Sequence, residues 1–210
     1  MTERICNISL HKRIYYATIF IFIYIIWSIS FTQIGSWVST STQYTLFTSV
    51  DRAIPFIPEF EFIYLLCYLI PAVPVFVIQN IAQMNRLIIT FILMNVFAFS
   101  IFILFPVYCP RPEFAVNSIA TYLLSLEYSL DKPVNNFPSL HAAIAWLVFF
   151  SCRERSRLIS TTLLLIATGI CIAALFIKQH YITDIIAGIL ISWGIYSGIE
   201  YLAHRRASNS

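Results

Sequence analysis

His141 and His180 are the residues of this chain best suited to chemistry, because each stands at the edge of a strongly apolar run where an ionisable group is costly unless it has a task. Asp184 follows His180 by four residues in His180-Tyr181-Ile182-Thr183-Asp184. If a helix begins at or just before His180, the two share a face and the carboxylate accepts from one imidazole nitrogen. That contact fixes the tautomer, leaves the other nitrogen unprotonated and makes His180 a nucleophile. His141, in Asn135-Asn136-Phe137-Pro138-Ser139-Leu140-His141, belongs to a different run and can protonate a leaving oxygen. Ser139 suits a helix N-cap, which aims N–H groups and the positive end of the helix dipole at the same place, an invitation to phosphate. Arg111, held between Pro110 and Pro112, adds a planar guanidinium matched to phosphate oxygens, and Lys178 adds a second positive charge. A cationic cradle, an oriented nucleophile and a separate acid fit phosphoryl transfer through a phosphohistidine.

The elements that must carry these groups are membrane helices. With 59% hydrophobic and 11% charged residues and a mean hydropathy of +0.79, the chain lies outside the soluble norm. A spanning helix needs about 20 mostly apolar residues, and six stretches approach this, at 14–34, 60–79, 86–108, 139–156, 158–175 and 181–202. The fold class expected is therefore all-α, a polytopic membrane bundle of six transmembrane helices forming one domain over 1–210, with the catalytic motifs within 109–184. Pro71 and Pro74 should kink the second span. The first run follows a basic start and exceeds a signal peptide's apolar region of about 7 to 15 residues, so it reads as a retained helix.

Arg4, Lys12 and Arg13, then Arg86, then Arg153, Arg155 and Arg157, then Arg205 and Arg206 all fall on one side of a six-span bundle. The positive-inside rule puts that side and both termini in the cytoplasm, with loops 35–59, 109–138 and 176–180 outside. Arg111, His141, His180 and Asp184 then meet at the outer face, although none of them belongs to the basic clusters that set the topology. In loop 109–138, Ile119, Tyr122, Leu123, Leu126 and Leu130 recur at helical spacing over a run too short to span, which predicts an interfacial amphipathic helix between spans 3 and 4.

The clustered basic residues flank apolar runs, which argues for membrane topology and against nucleic acid. Five scattered cysteines, Cys6, Cys67, Cys109, Cys152 and Cys171, form no metal or disulfide pattern. His11 and His204 fall at the opposite face as solvated interfacial residues. Zinc on His141, His180 and Asp184 is disfavoured by the neighbouring Arg111 and Lys178.

Arg111-Pro112, Pro138-Ser139-Leu140-His141 and the His180-to-Asp184 stretch resemble, in order and spacing, the three signature motifs of the type 2 phosphatidic acid phosphatase superfamily, which also contains vanadium haloperoxidases. The resemblance runs from about residue 51 to the last helix. Asp51, Ile54-Pro55-Phe56 and Pro58 are similar to the branch of inositol phosphorylceramide synthase-like enzymes. It implies His180 as nucleophile, Asp184 as its orienting partner, His141 as general acid, Arg111 and Ser139 as phosphate ligands, and no cofactor or metal. Three positions depart from the pattern: Leu104 stands where the family has Lys, and Ala173 and Ala174 stand where it has Ser-Arg. Lys178 is the expected replacement for one missing cation.

The function expected is hydrolysis of a lipid phosphate or pyrophosphate at the outer face of a plasma membrane, with the bilayer and a lipid phosphate as partners. The alternative is a lipid phosphotransferase of the inositol phosphorylceramide synthase type, which passes the phosphoryl or phospho-alcohol group from the phosphohistidine to another alcohol, and a non-catalytic transporter or lipid-binding protein is the reading from another class.

Overall fold

The structure is a computed structural model that describes residues 8–208; Arg4 and Cys6 lie outside the described residues. The described chain is helical, with no strand. Its elements are α1 (Leu10–Val38), α2 (Ser49–Ala53), α3 (Pro58–Val77), α4 (Ile81–Leu104), α5 (Ile119–Leu130), α6 (Leu140–Cys152), α7 (Arg157–Phe176) and α8 (Ile182–Ser208). Of these α1, α3, α4, α7 and α8 are long and apolar enough to cross a membrane.

α6 is shorter than the fourth span expected at 139–156. Its 13 residues reach about 20 Å at 1.5 Å per residue, short of a hydrocarbon core of about 30 Å. Arg153, Glu154 and Arg155 end the apolar run, and Ser156 serves as the N-cap of α7, where its hydroxyl accepts from Ile159 N at 3.2 Å. A turn therefore takes over from Arg153. α4 also sits earlier than its hydropathy suggests. The Asn80 side chain caps it by accepting from Ala82 N and Gln83 N at 2.8 and 3.3 Å, and Pro106 forces Phe105 out of the helix.

α3 is broken where its prolines withdraw donors. It passes through Pro58–Phe60, Glu61–Tyr64, Leu66–Leu69, Ile70–Ala72 and Val73–Val77, alternating 3-10 and α geometry. Arg13 closes its end by donating to Val75 O at 2.5 Å and Phe76 O at 3.2 Å. Gln83 Nε2 donates to Ser151 O at 2.7 Å, and Arg86 pairs with Glu200 at 2.8 Å. One end of the bundle thus gathers the start of α1, the end of α3, the start of α4, the end of α6 and the end of α8, with their basic residues.

At the other end the loops tie to one another. Val107 bridges Tyr44 on one side and Asn135 on the other, a pairing that hydropathy does not reveal. α6 lies against α4, α7 and α8 and is buried on almost every face. α1 by contrast turns Ile14, Ile21, Phe22 and Ile29 outward, an apolar exposure that suits lipid rather than water.

Candidate active site

The site forms where α4 ends, α6 begins, α7 ends and α8 begins, so one end of the bundle receives residues from four elements. α8 is pinned to α6 by backbone: Ser139 N donates to Asp184 O at 2.9 Å. This approach needs Gly188, because a Cβ there would stand 2.3 Å from Ser139 O. Gly188 lies four residues after Asp184, on the same face of α8. Gly194 and Gly198, farther along α8, meet nothing within 4 Å.

His141 Nδ1 and His180 Nε2 are 3.3 Å apart and both rings are buried. His180 precedes α8 rather than lying on it, since the helix begins at Ile182. Asp184 is fully buried, and its Oδ2 is 3.5 Å from His180 Nδ1. At that distance it orients the imidazole by charge more than by a full hydrogen bond. Its shorter bond accepts from Tyr181 N at 2.9 Å, so one carboxylate holds the turn and faces the ring.

A chamber of about 390 Å³ opens beside His180 and is lined by Arg52, Arg111 and Lys178 among others. Arg111 is anchored, donating to Tyr128 O at 2.8 Å and Asp131 O at 2.5 Å, with its guanidinium 4.2 Å from the centre of the Tyr128 ring. Lys178, at a positive φ of 55°, donates from Nζ to Asp51 O at 3.1 Å and Ile54 O at 2.5 Å. It therefore closes the end of α2 as well as lining the chamber, and burial lowers its pKa. Asp51 extends the tie, its Oδ1 accepting from Ile182 N at 2.9 Å. Ser139 is not among the lining residues; its buried Oγ accepts from Ala142 N at 3.3 Å as the cap of α6.

Leu104 points away, at 80% exposure. Ala174 is buried beneath the turn, its carbonyl accepting from Gln179 N at 2.9 Å and His180 N at 3.3 Å. The positive charge of the chamber comes instead from Arg52, Arg111 and Lys178. Sequence reasoning missed Arg52; the signal was its place beside Asp51 in the loop that contacts the start of α8.

His141 lines a second chamber, of about 520 Å³, together with Tyr68, Glu127 and Asp131. Both Glu127 oxygens accept from the Tyr68 hydroxyl at 2.8 Å, and Asp131 Oδ2 accepts from Gln179 Nε2 at 2.6 Å. Burial raises Glu127 to about 7, against the lowering by Tyr68. It raises Asp131 to about 6, against the pull of Arg111. Donor atoms of Glu127, Asp131 and His141 lie within 4.8 Å of one another, a different set from the His141, His180 and Asp184 considered in sequence. The Arg111 guanidinium 3.9 Å from Asp131 opposes a metal ion there. Both acids were overlooked, although Glu127 falls outside the apolar stripe of α5. Cys109 is buried, with Sγ 3.5 Å from Lys178 O, and burial pushes its thiol up to about 12.

Five helices of membrane-spanning length, compatible with an integral membrane protein, surround a buried histidine pair beside a cationic chamber. A family model described as the PAP2 superfamily matches residues 46–197, and the chain belongs to that superfamily. Membership brings phosphatase-type activity as its general chemistry. No curated protein and no solved structure matches the chain.

Proposed function

We propose that the chain is an integral membrane lipid phosphatase that works through a phosphohistidine at its extracytoplasmic face. The observation that carries this is the His141–His180 pair beside a chamber with three cations. His180 Nε2 attacks phosphorus, the P–O bond to the lipid alcohol breaks, and His141 gives its proton to the departing oxygen. His141 then takes a proton from water, the water oxygen bonds to phosphorus, the P–N bond breaks and phosphate leaves. Asp184 holds the His180 ring, while Arg111, Arg52 and Lys178 bear the charge on the phosphoryl oxygens. Ser139 contributes by fixing the start of α6.

In this reading α6, sheltered among α4, α7 and α8, serves as a short sixth crossing beside the five long helices. The basic residues gather at the end opposite the site, which supports cytoplasmic termini and an outer active site. α5 supports the interfacial reading in its own way. Ile119 and Leu130 are 73% and 76% exposed while Thr121 and Glu127 are buried, so the ends of its apolar stripe are open to the surroundings.

The test is release of phosphate from a panel of lipid phosphates by purified protein, with His180→Ala as the blank and vanadate as inhibitor. Vanadate mimics five-coordinate phosphorus, so inhibition is expected. Vanadate resistance together with a fully active His180→Ala variant would falsify the mechanism. Adding candidate alcohols and following a new phospholipid against free phosphate separates hydrolysis from transfer.

A further inference from the structure

The two histidines open on chambers of opposite character. His180 lines the one with Arg52, Arg111 and Lys178, and His141 lines the one with Glu127 and Asp131. If the phosphoryl group rests among the cations, the departing oxygen must lie on the side of the acid that protonates it. The alcohol portion of the substrate then occupies the chamber beside His141. Trp27, Phe31 and Leu126 furnish apolar walls there for a hydrocarbon chain.

The acids of that chamber are poorly balanced by the protein itself. Glu127 has one neutral donor, the Tyr68 hydroxyl, for both oxygens. Asp131 accepts from Gln179 through Oδ2 and shares Arg111 with two backbone carbonyls, while its buried Oδ1 has no hydrogen-bond partner. Carboxylates kept in an apolar recess cost stability unless a ligand meets them. An esterified diacylglycerol backbone brings no donor to do so.

We propose that the chamber beside His141 recognises an alcohol that carries a protonated amine, so that Glu127 and Asp131 select amine-bearing lipid phosphates. The inference rests on the proposed phosphatase reading for the direction in which the alcohol departs. The ammonium replaces the missing donor at Asp131 and adds a charged one at Glu127, each a charge-assisted hydrogen bond. Burial raises both acids, and the lowering by Tyr68 at Glu127 and by Arg111 at Asp131 does not cancel it.

Binding and turnover test it separately. Three chain-matched probes, a long-chain 2-amino-1-alkanol, the corresponding 1,2-diol and the plain 1-alkanol, are titrated into the purified protein at pH 8 by following Trp fluorescence and thermal shift. The amino alcohol is expected to bind roughly tenfold more tightly than either neutral probe. That advantage should fall severalfold in Glu127→Gln and again in Asp131→Asn, variants that preserve side-chain shape. Equal affinity for all three probes, a diol as good as the amine, or an amine preference untouched by both substitutions overturns the proposal. The 1-phosphates of the same probes are then assayed for phosphate release, where the same rank order in kcat/KM is expected. Release from none of them rejects the phosphatase reading, while the alcohol titration still decides whether the chamber recognises amines.

Discussion

Nδ1 of His141 lies 3.3 Å from Nε2 of His180, so the nitrogen expected to attack phosphorus faces the side chain expected to protonate the leaving oxygen. A phosphate reaching Nε2 must displace His141 from that position. The proposed nucleophile and the proposed acid therefore share one small volume.

His180→Ala should abolish phosphate release, whereas His141→Asn should discriminate between leaving groups. Loss of a general acid costs about 10²–10⁴-fold when the departing alkoxide is a poor leaving group. With an activated aryl phosphate the loss should shrink to about tenfold, because little protonation is needed. Equal losses on alkyl and aryl phosphates would assign His141 to binding instead of acid catalysis.

Gly188→Ala should be among the most damaging substitutions outside the ionisable set. Its Cβ would meet the Ser139 carbonyl at 2.3 Å, and backbone cannot rotate away as a side chain can. α6 and α8 must separate, which costs about 1–3 kcal/mol and displaces His141 relative to His180. Thermal unfolding in detergent and kcat should both fall, while Gly194→Ala and Gly198→Ala, with nothing within 4 Å, should leave both near the parent values.

Lys178→Ala separates two roles for one ammonium group. The side chain lines the cationic chamber and also binds the carbonyls of Asp51 and Ile54. If it holds phosphate, KM should rise about tenfold or more, as expected for losing a charged hydrogen bond, and vanadate inhibition should weaken in parallel. An unchanged catalytic efficiency would reject the phosphate role and leave only the closure of α2.

Much of this arrangement is visible in sequence because membrane helices write themselves in long apolar runs, and because the histidines interrupt those runs. The expected helix over 119–130 and the break at Pro71 and Pro74 follow from the same local signals. α6 is shorter than expected because Arg153 already ends it and the charged turn to Ser156, the cap of the next helix, is no part of its apolar run. Arg52, Glu127 and Gly188 escape notice for a different reason. Each matters through a partner more than 45 positions away or through a chamber wall, and no periodicity records such neighbours.

Glu127 should make stability depend on pH near neutrality. Its carboxyl is raised from 4.5 to about 7, first by burial, so between those values the folded protein holds a proton that the unfolded chain has released. The stabilising contribution is therefore complete below about pH 4.5 and is lost as pH rises through about 7. The shift corresponds to at most about 3 kcal/mol, reduced by whatever water reaches the chamber. Thermal unfolding of the detergent-solubilised protein should fall between pH 5 and 8 by several degrees, on the order expected for one to three kcal/mol in a chain of this size, roughly 2–4 °C for each. Glu127→Gln should flatten that slope, since the amide keeps the Tyr68 contact and cannot ionise. Parallel curves for the parent and the variant across this range would show that Glu127 does not titrate there, and would return its carboxylate to an ordinary solvated acid.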